Sequence, residues 1–224
     1  MALRDLLRRT PPPGPLAELA AAPPWPAGTP LAQVELVAVD LETSGLAVRR
    51  HEILAVGSVP VSGGEVHLEG ARHRRVRPAG EVGESATVHG LTDDDLAGAP
   101  PVEEVLPALL HTLTGQRRRV LLAHHAGVET AFLAAACRRV WGATVPLQVV
   151  DTVTLEQRLT GTEEHAREGA LRLDACRARH RLPRYRAHSA LTDALACAEL
   201  FLAQCAALEV RAGRPLVLGE VLRR

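Results

Sequence analysis

The chain has 224 residues, 26 basic and 26 acidic, and no formal net charge at neutral pH; every basic residue is arginine. That length suits one domain with a real core, and the balanced charge argues against a broad cationic face that grips long duplexes. Aromatic residues make up only 2% of the chain, too few for a platform that stacks many bases.

Residues 1–32 hold Pro11, Pro12, Pro13, Pro15, Pro23, Pro24, Pro26 and Pro30 among alanines. They read as an extended, partly mobile arm with one short helix over Leu3 to Arg9, whose Leu3, Leu6 and Leu7 either offer a docking face or pack back on the domain. Arg8-Arg9 is followed by prolines rather than a signal core, and no apolar run approaches the roughly 20 residues of a membrane-spanning helix. A strand is predicted from Val34 to Glu42, closed by the turn signal Ser44-Gly45. Residues two apart on a strand share a face, so Asp40 and Glu42 aim their carboxylates at one point. Charges that close repel unless cations lie between them, and oxygen ligands of this kind suit Mg²⁺ or Mn²⁺ rather than zinc.

Ile53 to Pro60 and Glu65 to Val76, joined at Ser62-Gly63-Gly64, predict a hairpin, and Val102, Val105, Leu106, Leu109, Leu110 and Leu113 an amphipathic helix. A short strand at Val120 to Ala123 runs into a helix with Val128, Phe132 and Ala136 inward. Glu129 lies beside that stripe near the helix start, where the dipole stabilises a carboxylate whatever its role. Gln148 to Val150 makes the last inner strand. From Ser189, a suitable N-cap, Leu191, Leu195, Ala198 and Leu202 repeat at helical spacing. Five residues of helix turn through about 500°, so His188 and Asp193 cannot share one helix face. His188 therefore belongs to the preceding loop, free to reach back to a site that Asp193 enters, where an imidazole suits a general base.

Strands alternating with helices imply an α/β domain of three layers around a mixed central sheet. It is expected over residues 33–208, with a short tail over 209–224. Cys137, Cys176, Cys197 and Cys205 lack close Cys-x-x-Cys spacing and read as buried free thiols of a reducing compartment. His124, His125 and Cys137 offer no fourth zinc ligand at a usual spacing.

Each acidic motif is unspecific alone. Together, in order, they resemble the DEDDh 3′→5′ exonuclease family, which holds the proofreading epsilon subunit of bacterial DNA polymerase III, RNase T and oligoribonuclease. Asp40 and Glu42 match the first motif, Glu129 stands at the second, and His188 with Asp193 match the third; Glu84 to Thr92, Val149 to Thr152 and Leu171 to Asp174 agree in order and spacing. The resemblance implies a ribonuclease-H-like exonuclease fold and release of nucleoside 5′-monophosphates from the 3′ end of DNA, in proofreading or repair. It also implies two Mg²⁺ or Mn²⁺ ions held by Asp40, Glu42, Glu129 and Asp193, with His188 accepting the proton of the attacking water. By the same resemblance Thr43 and Leu46 touch the terminal nucleotide, and Glu84 and His89 border its pocket. The implied partners are single-stranded nucleic acid 3′ ends and a DNA polymerase or another replication or repair protein, in the cytoplasm and away from membranes.

The chain departs from the family at His124-His125, where His-Asn is usual, and at Val128-Glu129, where Phe-Asp is usual. Glu reaches about 1.5 Å farther than Asp, and a misplacement of about 1 Å can cost on the order of a hundredfold in rate. Two further readings follow: an RNA- or oligonucleotide-trimming enzyme of the same fold, and a weakly active or inactive nucleotide-binding module in which Glu129 holds the second ion poorly.

Overall fold

The computed structural model describes residues 10–160, 168–185 and 188–223. A six-stranded mixed sheet forms the middle layer. Its strands are β1 (Leu36–Thr43), β2 (Ile53–Ser62), β3 (Glu65–Val66), β4 (Arg72–Arg75), β5 (Val120–Ala123) and β6 (Val149–Asp151), in the order β3-β2-β1-β5-β6, with β4 beside β3 on the same edge of β2. β1 runs antiparallel to β2 and parallel to β5, and β5 parallel to β6.

The side chains of β1 alternate between two cores, as a strand buried on both faces must. Val37, Val39 and Leu41 join Leu121 and Ala123 against the helices α1 (Pro15–Ala21), α4 (Val102–Leu113) and α5 (Gly127–Trp141). Leu36 and Ala38 join Val120, Leu122 and Val150 against α6 (Thr152–Leu159) and α8 (Ala190–Ala212). Short helices complete the chain: α2 (Ala86–His89), α3 (Asp93–Leu96), α7 (Leu173–Arg179) and α9 (Leu218–Val221). Asp40 and Glu42 extend the second of these faces beyond the last β1–β5 pair, Ala38 with Leu122, so they stand clear of the sheet's interior.

Several expectations need correction. The second arm of the hairpin is two strands, because a 3₁₀ turn at Leu68–Gly70 interrupts it; β3 and β4 pair with successive stretches of β2. The exposed β4 leaves its outer edge lined by Arg72, His73, Arg74 and Arg75, the charged kind of edge that discourages further strand pairing. The N-terminal segment is not an extended arm in its described part. Pro15 opens α1, whose Leu16 and Leu19 are 1% exposed. The buried Arg118 guanidinium donates to the carbonyls of Leu19, Ala20 and Ala22, which have no intrahelical partner at the helix end. The expected helix over Leu3 to Arg9 lies outside the described residues.

The short C-terminal tail packs against the domain. Leu216, Leu218 and Val221 are buried, and the backbone of Leu218 and Gly219 donates to Thr29 and Ala27. The 23-residue α8 also meets the length and apolarity of a membrane-crossing helix, contrary to expectation, but half of its most apolar window is buried against the rest of the chain. Its Cys197, Ala198, Phe201, Cys205 and Leu208 are buried in the core shared with β1 and α6.

Candidate active site

Asp40, Glu42 and Asp193 converge: one carboxylate oxygen from each lies within 4.8 Å of the others. β1 supplies the first two through its pleat, and the first turns of α8 bring the third across β2. Burial holds Asp40 well above the ordinary carboxylate range, and the charges of Glu129, Asp193 and Glu42 add to it. Glu42 is pushed up to about 7 by burial and by Asp193. Burial raises Asp193 as well, against the pull of the His188 backbone N–H and the His188 charge.

Glu129 sits in the first turn of α5, 4% exposed. It lies outside the tight trio, yet its charge acts on Asp40. Burial pushes its carboxyl up to about 8. One oxygen of Glu129 and one of Glu42 are buried with no hydrogen-bond partner. Unpaired buried acceptors are costly, and a divalent cation is the partner that answers three converging carboxylates with a fourth acting on them electrostatically. The donor set is all oxygen and anionic, which fits Mg²⁺ or Mn²⁺ and does not fit a zinc site. His124 and Cys137 form no metal cluster among the described residues: the His124 ring nitrogens meet Thr152 Oγ1 at 2.7 Å and the Leu171 carbonyl at 2.8 Å, and Cys137 lies in the core.

His188 is exposed, in the loop before α8, at φ 68°. Its backbone N–H donates to Asp193 Oδ2 at 2.8 Å, which ties the loop to the first turn of α8, whereas Ser189, the expected N-cap, makes no side-chain bond there. His89 lies near enough for its pKa to be lowered, by burial first and then by the His188 charge. Its ring accepts from the Leu91 N–H at 3.1 Å and faces Ser85 Oγ at 3.0 Å, which fixes the tautomer that donates to Ser85. Glu84 is exposed on a 3₁₀ turn and joins none of these contacts. Thr43 Oγ1 donates to the Gly45 carbonyl at 3.0 Å, and Leu46 stands 79% exposed just beyond.

Two positioning features escaped the sequence reading. Asp151, at the end of β6, accepts from the backbone of His125 and Ala126 and from Val153, so one carboxylate tethers the start of α5 and caps α6. A strand residue followed by Thr-Val-Thr gave an N-cap signal for α6 alone. Gly57 lies opposite Asp40 on β2 and is covered by the start of α8. A lone glycine inside the apolar run Leu54 to Val59 is the available hint of a close backbone approach.

The exonuclease model of the RNase T family matches residues 37–201. The chain belongs to this exonuclease family. It is 30% identical to a PolC-type DNA polymerase III of Thermotoga maritima over 74% of this chain and 11% of that protein. It is 28% identical to ribonuclease T of Actinobacillus pleuropneumoniae over 81% of this chain and 88% of that one. The chain thus spans about a tenth of the PolC-type relatives' length. Among solved structures, the nuclease domain of 3′hExo, a DEDDh family member bound to rAMP, superposes with TM-score 0.63 at 15% identity, covering 86% of this chain and 97% of that one. That likeness places the ribonuclease-H-like fold, as the motifs implied.

Proposed function

We propose that this chain is a metal-dependent 3′→5′ exonuclease that removes nucleoside 5′-monophosphates from the 3′ ends of DNA. The observation that carries this reading is the convergence of Asp40, Glu42 and Asp193 within 4.8 Å, with Glu129 buried alongside. Asp40, Glu42, Glu129 and Asp193 would hold two Mg²⁺ or Mn²⁺ ions. When bound, such ions supply charge stabilisation for an in-line displacement at phosphorus.

The rest of the chemistry belongs to the chain's own side chains. His188 accepts the proton of the attacking water; its exposure and its loop position leave the ring free to meet substrate. Thr43 and Leu46 locate the terminal nucleotide, Leu46 as an exposed apolar wedge against the base, and His89, with Glu84 nearby, borders the pocket. Four buried free thiols suit a reducing cytoplasm. The PolC-type relatives support a partnership with a DNA polymerase or another replication or repair protein.

Digestion of labelled single-stranded DNA and RNA, side by side and with or without Mg²⁺, tests the reading. Asp40→Ala and Asp193→Ala should each abolish mononucleotide release, and native rates in either variant exclude this site. The ribonuclease T relative, matched over most of its length, favours RNA trimming as the second reading; faster release from RNA than from DNA decides for it. A native protein that is inert until Glu129→Asp is introduced decides instead for a nucleotide-binding module.

A further inference from the structure

The metal ligands come from separate elements, so something must fix the distance between β1 and α8. Gly57 sits on β2 directly opposite Asp40 in the antiparallel register. A Cβ added there would meet the Ala190 carbonyl carbon and oxygen at 2.1 Å and the Leu191 nitrogen at 2.4 Å. Those are backbone atoms of the first turn of α8, which no side-chain rotation can clear. Ala190 and Asp193, three residues apart, share one helix face. The turn that rests on Gly57 is therefore the turn that aims Asp193 at Asp40 and Glu42.

We propose that Gly57 is a positioning residue of the catalytic site: its missing side chain lets the α8 backbone seat on β2, and that seat sets the span between Asp193 and the β1 carboxylates. The inference rests on assigning the metal ligands to Asp40, Glu42 and Asp193. Any side chain at residue 57 must push the helix start from 2.1 Å out to the 3.4 Å at which ordinary contact begins, a retreat of about 1.3 Å. That is close to the reach of one methylene, about 1.5 Å. A longer acid on the displaced helix should then recover what the displacement costs.

The experiment compares Gly57→Ala, Asp193→Glu and the double variant by Mn²⁺ binding and by the Mg²⁺ concentration for half-maximal activity. Gly57→Ala should weaken metal binding and lower kcat by about a hundredfold. Asp193→Glu alone should also lose activity, whereas in the Gly57→Ala background it should restore at least fivefold. Val61→Ala, which loosens the same strand where it packs with Phe201 and Cys205, should lower the melting temperature and leave the Mg²⁺ requirement unchanged. Gly57→Ala with a native Mg²⁺ requirement overturns the proposal, as does a double variant no better than Gly57→Ala. Should Gly57→Ala not fold, Asp193→Glu decides alone: native metal affinity in that variant means the span is not tightly set. Asp193→Ala separates the two claims, since native Mn²⁺ binding there defeats the ligand assignment and not the seat.

Discussion

Glu129 is one of the positions at which this chain departs from the family pattern, and its surroundings show what a buried carboxylate costs there. A buried carboxylate raised to about 8, with one oxygen unpartnered, costs the fold stability when it ionises. Its folded pKa lies above the unfolded value near 4.3, so the folded metal-free protein binds more protons than the unfolded chain between those two values. Metal-free stability is therefore fullest below about pH 4 and declines as pH rises toward about 8. Glu42, raised to about 7, adds to the same trend. Thermal unfolding in chelator should show the melting temperature falling between about pH 4 and 8, with Glu129→Gln gaining on the native protein by roughly 5 °C or more at the alkaline end. Saturating Mg²⁺ should erase that gain, because the charge then has a partner. A constant difference at all pH values would mean that Glu129 does not titrate in this window. Since the ligands must lose their protons to bind, the Mg²⁺ requirement should also fall as pH rises through 7 to 8.

Between the elements, Asp151 does more than its place on the three-residue edge strand β6 suggests. Its carboxylate receives the N–H groups of His125 and Ala126, and these start the helix that carries Glu129. His125 itself is held at φ 65°, a left-handed conformation that Asn adopts more readily than His. This gives a physical reason for the family's usual Asn, and this chain's histidine depends on the Asp151 tether. Asp151→Ala should cost about 2–3 kcal/mol in denaturant unfolding, since it orphans buried donors at two helix starts. It should also reduce kcat more than Val61→Ala does at comparable loss of stability; equal effects would show that the tether serves the fold alone. β1, β2, β5, α4 and α5 were legible because burial imposes periods of two and 3.6 on the sequence, and the acidic residues through the order of their motifs. The tether and the Gly57 seat were not, because both are contacts between distant segments and leave no local period. The N-terminal segment misled for a similar reason: its prolines suggest an extended chain, and only Arg118, about a hundred residues away, reveals that its helix is packed.

At the scale of the molecule, the even count of acids and arginines hides an uneven placement. Acidic groups gather at the ends of β1 and α8, where cations would neutralise them, while β4 presents Arg72 and Arg74 to solvent with only backbone carbonyls as hydrogen-bond partners among the described residues. Arg75 is partly matched by Asp95 at 3.9 Å, and acidic residues cluster in α3 just beyond. The exposed arginines of β4 therefore form a short edge, and Arg49 and Arg50, just beyond Leu46, are exposed as well. For single strands the logarithm of affinity falls with the logarithm of salt by about 0.7 per phosphate contacted. Two or three contacts give a slope of about −2, too shallow for processive grip on a long strand without help from a partner protein. Anisotropy titrations of Asp193→Ala with a labelled oligonucleotide in Ca²⁺, repeated across a range of salt, measure that slope. A value steeper than about −4 would mean that the phosphate track is longer than these arginines account for, and that the enzyme holds its substrate unaided.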